Sequence, residues 1–346
     1  MKENLRLVQI ANAASERRVA LVQEPNLLLL EKYTSIYHLA LAAIQAKETI
    51  QKLIQESLSE KQLNYDGVYN GQTEWRLLPS FDCFDNPFAC TVSGTGLTHK
   101  NSALNRQMMH AQEEGTVTDS MKMYQWGIEG GQPEEGNIGV QPEWFYKGTG
   151  AVLKGHGDAL PVPPYANDGG EEPEVAGVYV VDKEGTPHRI GFTTANEFSD
   201  HVMERKNYLY LAPSKLRSCA IGPELVLDAD FANIEGTVKV LRDDEELWSA
   251  SIRTGARNMA HSLANLEYHH FKYADHRQPF QAHVHFFGAD AFSFGAGIQL
   301  TDGDEMQVHW QGLGRPLINK VNVEAGEEET IRITPLVKTS TELFVP

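Results

Sequence analysis

Cysteine is scarce in this chain: Cys83, Cys90 and Cys219 are the three in 346 residues, an odd number with no CxxC pair among them. That argues against a disulfide framework and a thiolate zinc site, and points to reduced thiols. Basic charge is also in deficit. The 30 Lys and Arg stand against 47 Asp and Glu, a net charge of −17, where a nucleic-acid-binding surface needs a basic stripe. No apolar run approaches the ~20 residues that cross a bilayer. The start, MKENLRLVQIANA, lacks the continuous apolar stretch of a secretory signal. The expectation is a cytoplasmic protein with neither a nucleic-acid nor a membrane partner. P-loop, GxGxxG, GxSxG and HExxH patterns are absent, as are internal repeats. Acidic small substrates are not excluded, because a bound cation and a few Lys or Arg reverse the sign of a pocket.

The composition is that of an ordinary globular protein, 41% hydrophobic and 22% charged, long enough to bury a full core. Residues 5–30 read as two short strands, LRLVQIA and RRVALVQ, joined by a turn at Ala13–Glu16, with LLLL at 27–30 extending them. From Ser35, a candidate N-cap, to about Glu60 the apolar spacing is helical. These segments form a small α/β module over 1–75, without chemistry of its own. Residues 76–346 form the larger domain. Its stretch 97–140 contains a helix candidate, NSALNRQMMHAQEE, and a glycine-rich loop, GIEGGQPEEGNIG. That stretch is either a mobile lid or a fixed surface excursion. Beyond Pro142 short strand-like runs predominate, from FYKGTGAVL to TIRITPL, with one helix over about 258–274. This is an α+β, mainly-β pattern rather than a βαβ one.

Chemistry concentrates between Glu171 and Glu224. Glu172 and Glu174 open a β-branched run, and residues two apart on a strand share a face. A turn at Lys183–Pro187 and a returning strand, HRIGFTT, carry Glu197 back beside them. Converging carboxylates repel unless a cation or a proton lies between them. Oxygen ligands of this kind suit magnesium, with manganese or calcium as substitutes, over zinc. Lys215 follows in an apolar setting, either as a surface lysine or as a group that polarises a substrate oxygen. His283 and His285 alternate on AHVHFFG, and His269 and His270 are adjacent. With no cysteine partner or HExxH beside them, these read as core residues.

With these residues in hand, the chain resembles the fumarylacetoacetate hydrolase superfamily. The resemblance rests on four ordered motifs: Glu172-Pro173-Glu174; Asn196-Glu197-Phe198-Ser199-Asp200; Lys215 through Gly222-Pro223; and the closing LTDGDEMQVHWQGLGRPLINKV at 300–321. PEWFYKG at 142–148 is similar to the family's aromatic–lysine strand. Within the superfamily the chain resembles the bacterial GguC-type group associated with sugar-acid catabolism. The resemblance implies a mixed β-roll catalytic domain, usually a homodimer, with magnesium held by Glu172, Glu174 and Glu197. It also implies a small-molecule 2-oxo acid substrate.

Two departures from the family pattern bear on the reaction. The third metal acid is usually Asp, and here it is Glu197. Hydrolytic members carry a His-x-x-Glu dyad on a lid, whereas three residues after His99 stands Ser102. The resemblance therefore implies a dehydratase of 2-keto-3-deoxy sugar acids. In that role Lys215 aids enolisation, Glu143 is the acid/base, and Lys147, Ser102 and Arg106 contact substrate. The alternatives are a hydrolase or decarboxylase of a 1,3-diketo acid, with His99 activating water alone, and a non-catalytic sugar-acid binding protein.

Overall fold

The N-terminal segments form as their alternation predicts, but they extend a larger sheet. The computed structural model describes residues 4–110 and 117–336. Strands β1 (Arg6–Asn12), β2 (Arg17–Gln23) and β3 (Asn26–Leu30) are antiparallel neighbours. Ser35 caps helix α1 (Ile36–Ala46), its side chain accepting from the His38 amide. The helical pattern does not run through to Glu60. Lys47 turns left-handed (φ 54°), Thr49 caps a short α2 (Ile50–Gln55), and LSEKQLN becomes strand β4 (Leu58–Asn64) on the edge beside β3. Helix propensity there yields to tertiary pairing. After α3 (Tyr65–Tyr69), strand β5 (Trp75–Leu77) pairs with β1, so a strand pairing crosses the division placed at 75.

Next come β6 (Cys90–Gly94), α4 (Lys100–His110), α5 (Asp119–Gly130), β7 (Phe145–Thr149), β8 (Leu153–Lys154) and β9 (Ala159–Val162). The stretch 97–140 thus holds two helices, and the second takes up part of the segment expected as a glycine-rich loop. The long hairpin β10 (Pro173–Val181) and β11 (Pro187–Asn196) is followed by α6 (His201–Lys206), α7 (Leu211–Lys215) and β12 (Cys219–Val226). Then follow β13 (Ile234–Arg242), β14 (Glu245–Thr254), α8 (Leu263–Phe271), β15 (Ala282–Phe286), β16 (Glu305–Trp310) and β17 (Leu317–Val323). TIRITPL, expected as a strand, is irregular and exposed where described, with Ile331 and Ile333 in solvent. Among the described residues no strand pairs with it.

Among the described residues the strands form two sheets. One has 12 strands, in the order β4-β3-β2-β1-β12-β11-β10-β15-β6-β7 with β5 on β1 and β8 on β12. The other has five strands, in the order β14-β13-β16-β17-β9. Strand β10 is buried along its whole length, as expected for a strand covered on both faces. One face packs on α1 and α2 through Ile36, Leu39, Leu53, Val178, Val180 and Val284. The other meets the smaller sheet and α8 through Val175, Phe192, Val238, Leu266, Val308 and Trp310. The closing motif acts as a brace. Gly314 (φ 86°) passes against Glu224, whose carboxylate accepts from Tyr65, Arg6 and the Arg315 amide. Among the described residues no helix is long and apolar enough to cross a membrane.

His283 and His285 lie in the core, as expected. His285 is held between the hydroxyls of Ser93 (2.9 Å) and Thr95 (2.8 Å) and stacks on His270 at 4.3 Å. His283 Nδ1 meets His270 Nε2 at 3.0 Å. Burial, followed by the neighbouring imidazoles, lowers His283 and His285 to about 3, and burial does the same to His99. Folded-state values below the unfolded one near 6.5 mean that each histidine contributes stability present above about pH 6.5 and lost as pH falls towards 3. Glu174, raised by burial, acts in the opposite sense. In a histidine-labelled NMR titration, the resonances of these three imidazoles are expected to stay at their neutral shifts from pH 8 to pH 5 (roughly 1.5 units either side of the unperturbed value). A midpoint near the unperturbed value for any of them would contradict this packing.

Candidate metal centre

The β10–β11 hairpin brings the three glutamates together by register. Pro173 pairs with Asn196 and Glu174 with Ala195. Just beyond, the Glu197 amide donates to the Glu172 carbonyl at 2.9 Å. The Asn196 side chain accepts from the Glu172 and Phe198 amides, fixing both strand ends. Each of Glu172, Glu174 and Glu197 offers a carboxylate oxygen within 4.8 Å of the other two. Glu174 is held from behind, its Oε2 accepting from the Gly288 amide at 2.6 Å and its carbonyl from Trp310 Nε1 at 2.8 Å. Glu171 stays outside the cluster, its carboxylate bound by the amide and hydroxyl of Ser293.

Lys215, at the end of α7, projects into this cluster. Its Nζ donates to Glu172 at 2.6 Å, to Glu197 at 3.1 Å and to the Ser199 hydroxyl at 3.1 Å. It lies 4.9 Å from the centre of the Phe145 ring. Burial alone would lower the Lys215 ammonium, but Glu172 and Glu197 outweigh it and hold it above its ordinary value. Burial likewise favours neutral Glu172, yet Lys215 and His201 overcome that and keep it well below the carboxylate range. Glu174 has no such cation. Burial, then Glu197 and Glu172, push it well above its ordinary value, and burial and Glu172 raise Glu197. Lys215, with the Lys147 ammonium 3.3 Å from Glu197, therefore leaves three buried carboxylates short of one positive charge. The donor set fits a hard divalent cation: oxygen ligands, convergent, and short of positive charge.

A second buried charge cluster adjoins the first. Arg106 of α4 contacts both oxygens of Glu143 (3.0 and 2.9 Å) and, through Nε, Glu204 at 2.6 Å. The Tyr208 hydroxyl donates to Glu143 at 2.6 Å. Burial and then Glu143 push this phenol up, so it stays a donor. Only glycine fits at position 96, where a Cβ would fall 1.8 Å from a Glu143 oxygen.

The remaining expected residues sit differently. Lys147 lies beneath the cluster, fully buried, its ammonium donating to the carbonyls of Phe198 (2.6 Å) and Lys215 (3.0 Å) and standing 3.3 Å from Glu197. His99 has both ring nitrogens on hydroxyls, Nδ1 on Thr98 at 2.9 Å and Nε2 on Thr254 at 3.1 Å. Ser102 is on α4, one turn before Arg106. Sequence reasoning missed His201, Glu204 and Tyr208. His201 donates Nε2 to Glu172 at 3.0 Å, with its ring stacked on Phe292 at 4.9 Å. A signal was available: Asp200 is a ready N-cap, and His201 and Glu204 are one helical turn apart on a short charged segment.

No protein-family model matches the chain. A 120-residue portion is 32% identical to 2-dehydro-3-deoxy-D-arabinonate dehydratase of Saccharolobus solfataricus, over 33% of this chain and 39% of that protein. A 119-residue portion is 30% identical to a probable 2-keto-3-deoxyxylonate dehydratase of Haloferax volcanii, again over 33% of this chain and 39% of the relative. The matched region thus spans about two fifths of these curated relatives. The likeness in structure is wider. A 2-keto-3-deoxy-D-arabinonate dehydratase solved with magnesium and 2,5-dioxopentanoate superposes with a TM-score of 0.68 at 18% identity, covering 93% of this chain and all of that one. The chain shares its fold with that dehydratase and, at TM-scores of 0.55 and 0.57, with a 5-carboxymethyl-2-hydroxymuconate delta-isomerase and a 2-hydroxyhepta-2,4-diene-1,7-dioate isomerase. Its mixed α+β, sheet-dominated architecture matches the fold class expected from the motifs.

Proposed function

We propose that this chain is a magnesium-dependent hydro-lyase that dehydrates a 2-keto-3-deoxy sugar acid, a pentonate such as 2-keto-3-deoxyarabinonate. The observation that carries the reading is the pairing of a three-carboxylate cradle with a separate buried acid, Glu143, held by Arg106 and Tyr208. The named activities of the two partial relatives, and the ligands of the structural neighbour, support it. His99, engaged by two threonines and neutral, is poorly placed to activate water, which weighs against hydrolysis.

Glu172, Glu174 and Glu197 would hold the ion, which supplies Lewis acidity towards the substrate's carboxylate and C2 oxygen. Lys215 adds a fixed positive charge where an enolate forms. Glu143 takes the C3 proton and returns it to the C4 hydroxyl, which leaves as water. Isomerisation of the resulting unsaturated alcohol gives a semialdehyde such as 2,5-dioxopentanoate. Ser102 and Arg106, on α4, face the sugar hydroxyls, and Lys147 holds Glu197 in place. The protein is read as a cytoplasmic homodimer of the GguC type, its exposed Tyr146, Leu209, Tyr210 and Leu216 offering apolar surface near the site.

Purified protein with magnesium is expected to convert 2-keto-3-deoxypentonate to the semialdehyde, and to leave an acylpyruvate intact. Cleavage of the acylpyruvate alone would sink the dehydratase reading. Glu143→Gln is expected to lower kcat by about 10²–10⁴-fold with magnesium affinity unchanged by calorimetry. A parallel loss of magnesium binding would place Glu143 in the metal site instead.

A further inference from the structure

We propose that Glu204 makes this site selective against substrates bearing a second carboxylate, by cancelling the positive charge of Arg106. The inference rests on the 2-oxo acid reading of the site and concerns what the far end of that acid meets. Glu143, Arg106, Ser102 and Glu172 keep 6%, 7%, 8% and 7% exposure, whereas Glu174, Glu197 and Lys215 keep 1% each. The first four therefore form the more accessible mouth of this cluster and the others its floor. A substrate chelated at the floor extends towards Arg106.

An arginine at the mouth would ordinarily clamp a carboxylate through its planar fork. Here the guanidinium is already held by two carboxylates, with Nη1 on both oxygens of Glu143 and Nε on Glu204. One positive charge thus faces two negative ones. Across the two clusters five carboxylates (Glu172, Glu174, Glu197, Glu143 and Glu204) meet three lysine and arginine cations (Lys147, Lys215 and Arg106), with His201 already taken up by Glu172. A divalent ion closes that difference of two charges, and the substrate's own head carboxylate adds one more negative charge. No cation in this set is left to receive a second carboxylate. Neutral hydroxyls suit the mouth, since they donate to Glu143 and accept from Arg106.

Glu204 is well held for this role. It is on α6, one turn after His201, and the helix start is capped by Asp200, which accepts from the Met203 amide at 2.8 Å. The turn that orients Glu172 through His201 therefore also sets Glu204 against Arg106. Glu204 acts through Arg106 and is a positioning residue.

The test compares two five-carbon acids, 2-oxopentanoate and 2-oxoglutarate, binding to the magnesium-loaded protein by calorimetry. The wild type is expected to bind the diacid at least about tenfold more weakly. Glu204→Gln is expected to close or invert that gap by strengthening diacid binding, and Glu204→Asp to restore it. Equal wild-type affinities would overturn the proposal. So would a Glu204→Gln variant that weakens both ligands alike, the mark of a merely structural residue. If neither acid binds in the presence of magnesium, the 2-oxo acid reading itself fails, and this inference with it.

Discussion

Glu174→Gln is expected to abolish magnesium-dependent turnover while leaving the metal-free protein at least as stable as the wild type. The two halves of that result have one cause. Glu174 is fully buried, and burial together with Glu197 and Glu172 opposes its ionisation. Removing the charge relieves that penalty, and a glutamine oxygen can still accept from the Gly288 amide. What is lost is one of three ligands. Magnesium affinity by calorimetry should fall by about 100-fold or more, and kcat by about 10³-fold. Thermal melts with EDTA should show no decrease, and added magnesium should raise the wild-type midpoint but not the variant's. Retained magnesium-dependent activity would remove Glu174 from the metal centre.

Lys215→Met is expected to have the largest effect on stability. The ammonium is the shared partner of Glu172 and Glu197 in a fully buried setting. Deleting one member of a buried ion cluster leaves the other charges uncompensated, a loss of about 3–5 kcal/mol, or on the order of 5 °C in melting temperature for a chain of this size. Because the metal would compensate the same carboxylates, magnesium should stabilise this variant more than the wild type. Turnover should nonetheless be lost, since the ion does not replace the fixed charge beside the enolate. An unchanged midpoint in EDTA would overturn this expectation, since it would mean that Glu172 and Glu197 take up protons once the lysine is gone.

The contrast between Lys215 and Lys147 shows what residue spacing leaves open. Both are buried lysines beside Glu197 and both belong to recognisable motifs. Lys215 points into the carboxylates, whereas Lys147 donates to two carbonyls beneath them. No property of FYKG distinguishes floor from mouth. The direction is set by β7 packing against α7, which brings the Lys147 ammonium onto the Phe198 and Lys215 carbonyls, where a buried donor is satisfied. His99 is a similar case. Its place in the 97–140 stretch suggests catalysis, and only the fold shows its two ring nitrogens on the hydroxyls of Thr98 and of Thr254, far along the chain.

The sequence by itself determined the acids. A period-two strand, a turn and a returning strand made Glu172, Glu174 and Glu197 candidates, since a hairpin's register is set by its own residues, and the resemblance in ordered motifs singled them out from Glu171. It also determined the mainly-β class, through alternation repeated over many short runs. Only the tertiary structure decided the charge balance. Arg106, Glu143, Glu204 and Tyr208 come from different segments, and their mutual distances depend on how α4 and α6 dock. The strength of a charge depends on burial and on the nearest opposite charge, both set by chain contacts remote in sequence. An arginine that looks like a substrate clamp in the sequence is therefore, in the folded protein, already held by two glutamates.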